Sequence, residues 1–477
     1  MKVLLALLIL CGCLGSFVQS ADVNAWKQRV VYQVLTDRFA RTNGDLTTPC
    51  NLKEYCGGNF DGIAANLDYI KDMGFDAIWI SPTVDNMEPG YHGYWFRNFE
   101  KVNNHFGDEV SLKRLVDTAH SKGMFVMVDV VANHVAPVIE DFSTIYPFNQ
   151  ASHYHKRCPI YNWEDQLQVE NCRLCDLPDL DQANPYVRKY LVDWIKNQIS
   201  KYGFDGIRID TVPHIEKTFW TEFTKSAGVF SIGEVFNGKE SYLGIYQQVM
   251  DSLLNYPMYF TIKYTWTGYN SMRAISERWG LLDANMKDVD ALGLFVDNHD
   301  NQRFLHINND WRLLKAALAF SLTGRGIPFM YYGSEQGFKG GNDPENREPM
   351  WNSFNKEHEI YKFVQTVLRA RKTQGVATSK FSEKYVDDHF YVFTRGTNFI
   401  VALTNDPNQT PSQRIGNLGI ANGTVMCNIF KPAECATITG GAMDISLTNC
   451  EVKIYVPKSS SFFVSPKQTS LEALRRH

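Results

Sequence analysis

Four stretches of this chain run from an apolar segment straight into charged or imidazole side chains. They are Val128-Asp129-Val130-Val131-Ala132-Asn133-His134, Gly206-Ile207-Arg208-Ile209-Asp210, Ile232-Gly233-Glu234 and Phe295-Val296-Asp297-Asn298-His299-Asp300. One such junction means little, because strands commonly end in polar turns. Four in succession point to one shared site. Three carboxylates (Asp210, Glu234, Asp300) and two histidines (His134, His299) suit two chemistries. They can hold a divalent metal that activates water. They can also cleave a glycosidic bond, which needs two carboxyl groups in different protonation states. The residue types leave both open. Arg208 precedes Asp210 by two residues, so on a strand both side chains share a face. Its charge would keep Asp210 ionised and aligned, although an ordinary core ion pair fits the same spacing. The chain carries no G-x-S-x-G elbow, no phosphate-binding loop and no dinucleotide fingerprint opening a helix after a strand.

The elements that must position these groups are short apolar runs: Val30–Leu35, Ala77–Ile80, Phe125–Val131, Gly206–Ile209, Val229–Ile232, Leu292–Val296 and Ile327–Tyr331. They are nearly continuous and rich in Val, Ile and Phe, as strands buried on both faces are. Helical patterns separate them. The clearest has Asn184 as a cap, Pro185 in the first turn, and Val187, Leu191, Trp194, Ile195 and Ile199 at helical spacing before Gly203. This alternation predicts an α/β fold of the (β/α)8 TIM barrel type, residues 21–134 and 181–380. In such barrels functional groups gather at the C-terminal ends of the strands. Two regions break the rhythm. Residues 135–180, after the third strand, read as a small inserted subdomain, because so long a structureless loop is uncommon. Residues 381–460 alternate apolar and polar between Gly, Asn and Pro turns, which predicts an all-β C-terminal sandwich, followed by a loose tail, 461–477.

Composition narrows the class. The 477 residues hold 48 basic and 52 acidic side chains, a net charge of −4, so nothing here attracts nucleic acid or an anionic membrane. Aromatics make up 13%, which suits either a large core or a cleft that stacks on sugar rings. Residues 1–20 combine Lys2, an apolar run from Val3 to Leu10, and small residues before Ala21, the layout of a cleaved secretory signal. A secreted, monomeric protein, free of the membrane once that segment is removed, is expected. Secretion makes disulfides the default for Cys50, Cys56, Cys158, Cys172, Cys175, Cys427, Cys435 and Cys450. Cys50 with Cys56 and Cys158 with Cys172 are the natural local pairs. The other four stay unassigned, with one or two of them free. Their spacing is not that of a zinc site. Asn408 and Asn422 begin glycosylation sequons.

The four segments, in order and spacing, resemble the signature regions of the alpha-amylase family of glycoside hydrolases, with secreted fungal members nearest. Tyr91-His92-Gly93-Tyr94-Trp95, Gln168-Val169-Glu170 and Gly340-Gly341-Asn342-Asp343-Pro344 add to the likeness. The resemblance implies a retaining endo-hydrolase of α-1,4-glucosidic bonds in starch or glycogen. Asp210 would be the nucleophile, Glu234 the general acid/base, held protonated by close carboxylates and partial burial, and Asp300 the third carboxylate that grips the distorted sugar. His92, His134 and His299 would bond the sugar at the cut, with Tyr94 as its platform. Arg208 would align Asp210. Asp343 and Arg347 would grip units on the non-reducing side, His214 would touch the leaving-group side, and Trp163 would stack on substrate where a Tyr platform is common. One structural Ca2+ would be held by Asn133 and Asp179 side chains and by the backbone carbonyls of Glu170 and His214, all oxygen donors as a hard cation requires. Asp297–Arg303 also resembles chloride-binding animal members. That site needs Arg208, Asn298 and a third basic residue near the last strand, for which the sequence offers Arg325, and chloride stays open. Besides Trp163 in place of tyrosine, two departures from the fungal pattern stand out. Pro213 replaces a lysine that binds glucose beyond the cut, and a cysteine expected near Gly244 is absent. Alternatives are a transglycosylase or α-glucosidase of the same family, or a non-catalytic glucan-binding protein, which would be expected to lack one of the three carboxylates.

Overall fold

The computed structural model describes residues 21–42 and 44–464. The signal segment, 1–20, and the tail beyond 464 lie outside the described residues. Eight parallel strands build the main body: β1 (Val31–Val34), β2 (Ala77–Ile80), β3 (Phe125–Val130), β4 (Gly206–Ile209), β5 (Phe230–Gly233), β6 (Ser252–Leu253), β7 (Gly293–Leu294) and β8 (Ile327–Tyr331). Their order is β6-β5-β4-β3-β2-β1-β8-β7. A parallel bridge between Leu254 and Gly293 then joins β6 to β7, bringing the ends of the sheet together as a barrel.

Alternation along each strand explains both the core and the site. On β3, Val126, Val128 and Val130 pack outward with the helices, while Met127 and Asp129 point inward with the opposite parity. Register places Met127 beside Gly206 and Asp129 beside Arg208. The lower interior is filled by Val31, Ala77, Met127, Phe230 and Phe329, closed from below by Trp26. Trp26 donates its indole N–H to Asp205 O (3.0 Å). A Cβ on Gly206 would lie 2.8 Å from the Trp26 ring, so glycine at the base of β4 makes room for the plug. Truncating so large a buried ring would cost about 3–5 kcal/mol. One layer higher the inward positions turn polar, with Gln33, Asp129 and Arg208 all buried. The helices follow their sequence signals. Asn184 accepts from Tyr186 N at the start of Pro185–Tyr202, and Gly203 ends it in left-handed geometry.

The insertion after β3 is irregular, with a short α-helix, Gln166–Asn171, two 3-10 turns, Ala151–His153 and Leu174–Asp176, and the disulfide Cys158–Cys172. It leans on a hairpin formed by Val84–Asn86 and Phe96–Val102 in the β2–β3 connection, where Phe99 N donates to Tyr146 O (3.1 Å). The C-terminal strands form a six-stranded antiparallel sheet and a two-stranded ribbon, Ser412–Ile415 with Met443–Ser446. Phe390, Val392, Ile400, Ile415, Met443 and Ile445 share one core between them. Cys50–Cys56 and Cys427–Cys435 are bridged, and Cys175 and Cys450 are free. Regular structure continues to a turn at Ser461–Phe463, where Phe462 is buried, so the segment read as tail from 461 begins with a packed residue.

Candidate active site

The four strand ends converge at the C-terminal mouth of the barrel. Arg208, fully buried on β4, is the hub. Its Nη1 donates to Asp210 Oδ1 (2.8 Å) and to both Asp129 oxygens (2.9 and 3.1 Å). Its Nη2 lies 2.9 Å from Glu234 Oε2 as an ion pair, out of line for a hydrogen bond. Thr211 N donates to the same Glu234 oxygen (3.1 Å), from a residue in left-handed backbone geometry (φ 48°). One guanidinium thus holds both carboxylates at the mouth, Asp210 through Nη1 and Glu234 through Nη2.

One cation among three carboxylates leaves surplus negative charge in a buried place. Burial pushes Asp129 up to about 6 against the pull of Arg208. Burial likewise pushes Asp210 well above the usual carboxylate range, with Arg208 opposing and Glu234 adding to the rise. Burial thus favours the protonated forms of Asp129 and Asp210, whose titrations are linked through their shared partner Arg208. The aligned hydrogen bond from Arg208 to Asp210 favours the ionised form there.

A second chain of hydrogen bonds sets the imidazoles. Gln33 Nε2 donates to His299 Nδ1 (2.7 Å), which leaves the His299 proton on Nε2, 2.7 Å from Tyr94 OH. Tyr94 OH in turn donates to Asp129 Oδ2 (2.8 Å), which also takes Trp79 Nε1–H (3.1 Å). His92 Nδ1 accepts from Tyr94 N (3.0 Å), so its proton is also on Nε2. Burial holds His92 and His299 well below the ordinary histidine range, so both stay neutral. The Tyr94 ring lies near-parallel to both His92 (centroids 5.8 Å apart) and His299 (5.5 Å). His134 is buried with an unpartnered Nε2.

On one side of the mouth, Arg347 Nη1 is 3.0 Å from Asp343 Oδ1, and Nη2 is 3.7 Å from Asp300 Oδ1. On the other side His214 Nδ1 bonds Val169 O (3.0 Å), and Trp163, 60% exposed, stands edge-on to His214 at 6.0 Å. Trp163 thus belongs to the rim, not to the buried floor.

Beneath this lies a set of oxygens. Asn133 is fully buried, and its amide in one orientation turns oxygen toward only two other oxygens, Asp179 Oδ1 and His214 O, each 3.0 Å away. Turned over, its nitrogen would donate to both. Three oxygens at this spacing suit an oxygen-liganded cation. Glu170 is next to this set: its carboxylate takes Gln166 Nε2 (2.8 Å), and its neighbour Val169 touches His214. Arg325 is elsewhere. It precedes β8 at the opposite end of the barrel and pairs with Asp283 (2.7 Å) and Asp290 (3.2 Å). It is therefore no partner for Arg208 and Asn298 around a chloride ion.

Residues that motif reading passed over do much of the positioning. Asp129 stands in the first of the four segments, and Gln33 is the lone polar residue of β1, a signal the sequence carries. Tyr91 OH bonds Arg347 Nη1 (3.1 Å) and Asp343 Oδ1 (3.3 Å).

Comparison with known proteins places this arrangement. Residues 33–379 match the family model "Alpha amylase, catalytic domain". An alpha-amylase of Saccharomycopsis fibuligera is 36% identical, over 95% of this chain and 96% of its own. Alpha-amylase 1 of Schwanniomyces occidentalis is 36% identical, over 92% and 91%. The solved alpha-amylase of Malbranchea cinnamomea superposes with a TM-score of 0.89 at 36% identity, over 92% of this chain and 98% of that one.

Proposed function

This chain belongs to the alpha-amylase family of glycoside hydrolases, and on that footing we propose that it hydrolyses internal α-1,4-glucosidic bonds of starch-type glucans with retention of configuration. The observation that carries this reading is the single Arg208 guanidinium shared by Asp210 and Glu234.

Asp210, aligned by Arg208 Nη1, attacks the anomeric carbon and forms a glycosyl ester as the leaving oxygen departs. Glu234 gives that oxygen its proton, then takes one from a water that attacks the anomeric carbon on the face the leaving oxygen vacated, breaking the bond to Asp210 and freeing its carboxylate. Asp300 and the Nε2–H of His92 are assigned to the sugar at the cut, with His299 beside them holding its own Nε2–H on Tyr94 OH (2.7 Å). As hydrogen-bonding groups already fixed in place by Gln33 and the Tyr94 backbone, they need little reorganisation. Tyr94 offers its ring to the apolar face of that sugar. Asp343 and Arg347 hold units on the non-reducing side, and Trp163 and His214 the leaving side.

The donor set Asn133, Asp179 and His214 O, with Glu170 beside it, fits Ca2+. Such an ion would neutralise Asp179 and tie the inserted segment to the barrel. It is assigned a structural role. The disulfides and the apolar leader support secretion. No helix among the described residues is long and apolar enough to cross a membrane.

Product analysis tests the activity. From soluble starch the reading expects a rapid fall in chain length with short maltooligosaccharides released first in the α configuration. Release of glucose alone from chain ends, or products longer than the substrate supplied, would replace it with an α-glucosidase or a transglycosylase.

A further inference from the structure

Two segments far apart in sequence, His299–Arg303 and Lys339–Glu348, are stitched together beside the cleft. Asn346 Nδ2 donates to His299 O (3.0 Å) and Asn301 O (2.8 Å), and Arg347 Nε donates to His299 O (3.1 Å). The neck of the second segment is closed by one carboxylate. Glu348 Oε1 accepts from Gly340 N (2.6 Å) and Lys339 N (3.1 Å), while Oε2 accepts from Arg303 Nε (2.8 Å). Arg303 is fully buried. Its Nη1 donates to Tyr332 O (2.7 Å), just past the end of β8, and its guanidinium lies 4.3 Å from the Tyr331 ring centroid. The arm folds back so tightly that a Cβ on Gly340 would lie 1.8 Å from Glu345 O. At its outer end are Asp343, half exposed, and Arg347.

A buried arginine with one carboxylate partner is costly unless it is well held, and this pair holds both ends of a loop to the barrel. We infer that Arg303 and Glu348 are positioning residues that fix the Asp343–Arg347 arm against the segment carrying Asp300, and so set affinity for glucose units on the non-reducing side of the cut. The inference rests on the α-glucan reading above. It concerns the arm, not the bond-breaking step, so the effect falls on binding of long chains.

The test is Glu348→Gln, which keeps the shape but weakens the acceptor, assayed on maltoheptaose and on a short substrate that fills only the sites next to the cut. KM for maltoheptaose should rise about tenfold with kcat within about twofold, and kcat/KM on the short substrate should stay within about twofold. In a cycle with Asp343→Ala, Glu348→Gln should add nothing further, because the arm's contact is already gone. Glu348→Asp, which retains the charge, should give an intermediate KM and serves if the first variant folds poorly. An unmoved KM, an equal fall in kcat on both substrates, or fully additive losses in the cycle would overturn the inference. Wild type that leaves starch uncut would overturn the substrate reading instead, so the two failures are distinguishable.

Discussion

Asp129 and Arg208 face each other across neighbouring strands, in direct register, with Oδ1 and Nη1 2.9 Å apart and neither exposed to solvent. The pair forms the floor on which Asp210 and Glu234 stand. Buried ion pairs cost much to assemble, and removing one partner costs more than the pair contributes.

The two partners are not equivalent. Arg208→Gln strands three carboxylates around an empty centre, whereas Asp129→Asn leaves the guanidinium with Asp210 and Glu234. Arg208→Gln should lower unfolding free energy by about 3–5 kcal/mol, and Asp129→Asn by clearly less. Urea midpoints of the two variants check this, and a larger loss for Asp129→Asn would contradict the hub role of Arg208.

The same pair has a pH signature. Burial raises Asp129 to about 6, whereas an unfolded aspartate titrates near 4. Between about pH 4 and 6 the unfolded chain gives up this proton while the folded chain keeps it. The folded state then binds more protons, so this group's contribution makes stability fall as pH rises through the window. Asp129→Asn should remove that slope. Chemical denaturation of wild type and variant from pH 4 to 7 reads the difference, and parallel curves would show that Asp129 does not hold the proton.

The oxygen set around Asn133 makes a prediction about metal. Chelation followed by heating should lower Tm by roughly 5 °C or more relative to protein in excess Ca2+, and Asp179→Ala should abolish the difference. Equal Tm values with and without Ca2+ would remove the ion from the account.

Much of this was legible in sequence because buried parallel strands leave unbroken apolar runs. Ala77–Ile80, Gly206–Ile209 and Ile327–Tyr331 needed no adjustment. β6 escaped because it is two residues long, Ser252–Leu253, and makes no run. The hairpin Val84–Asn86 with Phe96–Val102 escaped because its pairing is irregular and its second strand mixes buried and exposed residues without alternation. At the site, motif residues carried their own signal. Glu348 and Asn346 did not, since their importance lies in partners some forty-five residues away.

The central claim is that Glu234 supplies the proton and Asp210 the nucleophile. The direct measurement is reducing-end release from soluble starch by wild type and by Glu234→Gln, with far-ultraviolet circular dichroism confirming that the variant is folded. The amide keeps the shape but has no acidic proton to give. The account predicts a loss of at least about 10²–10⁴-fold in kcat, with short α-linked maltooligosaccharides from the wild type. A folded Glu234→Gln variant as active as wild type would contradict it.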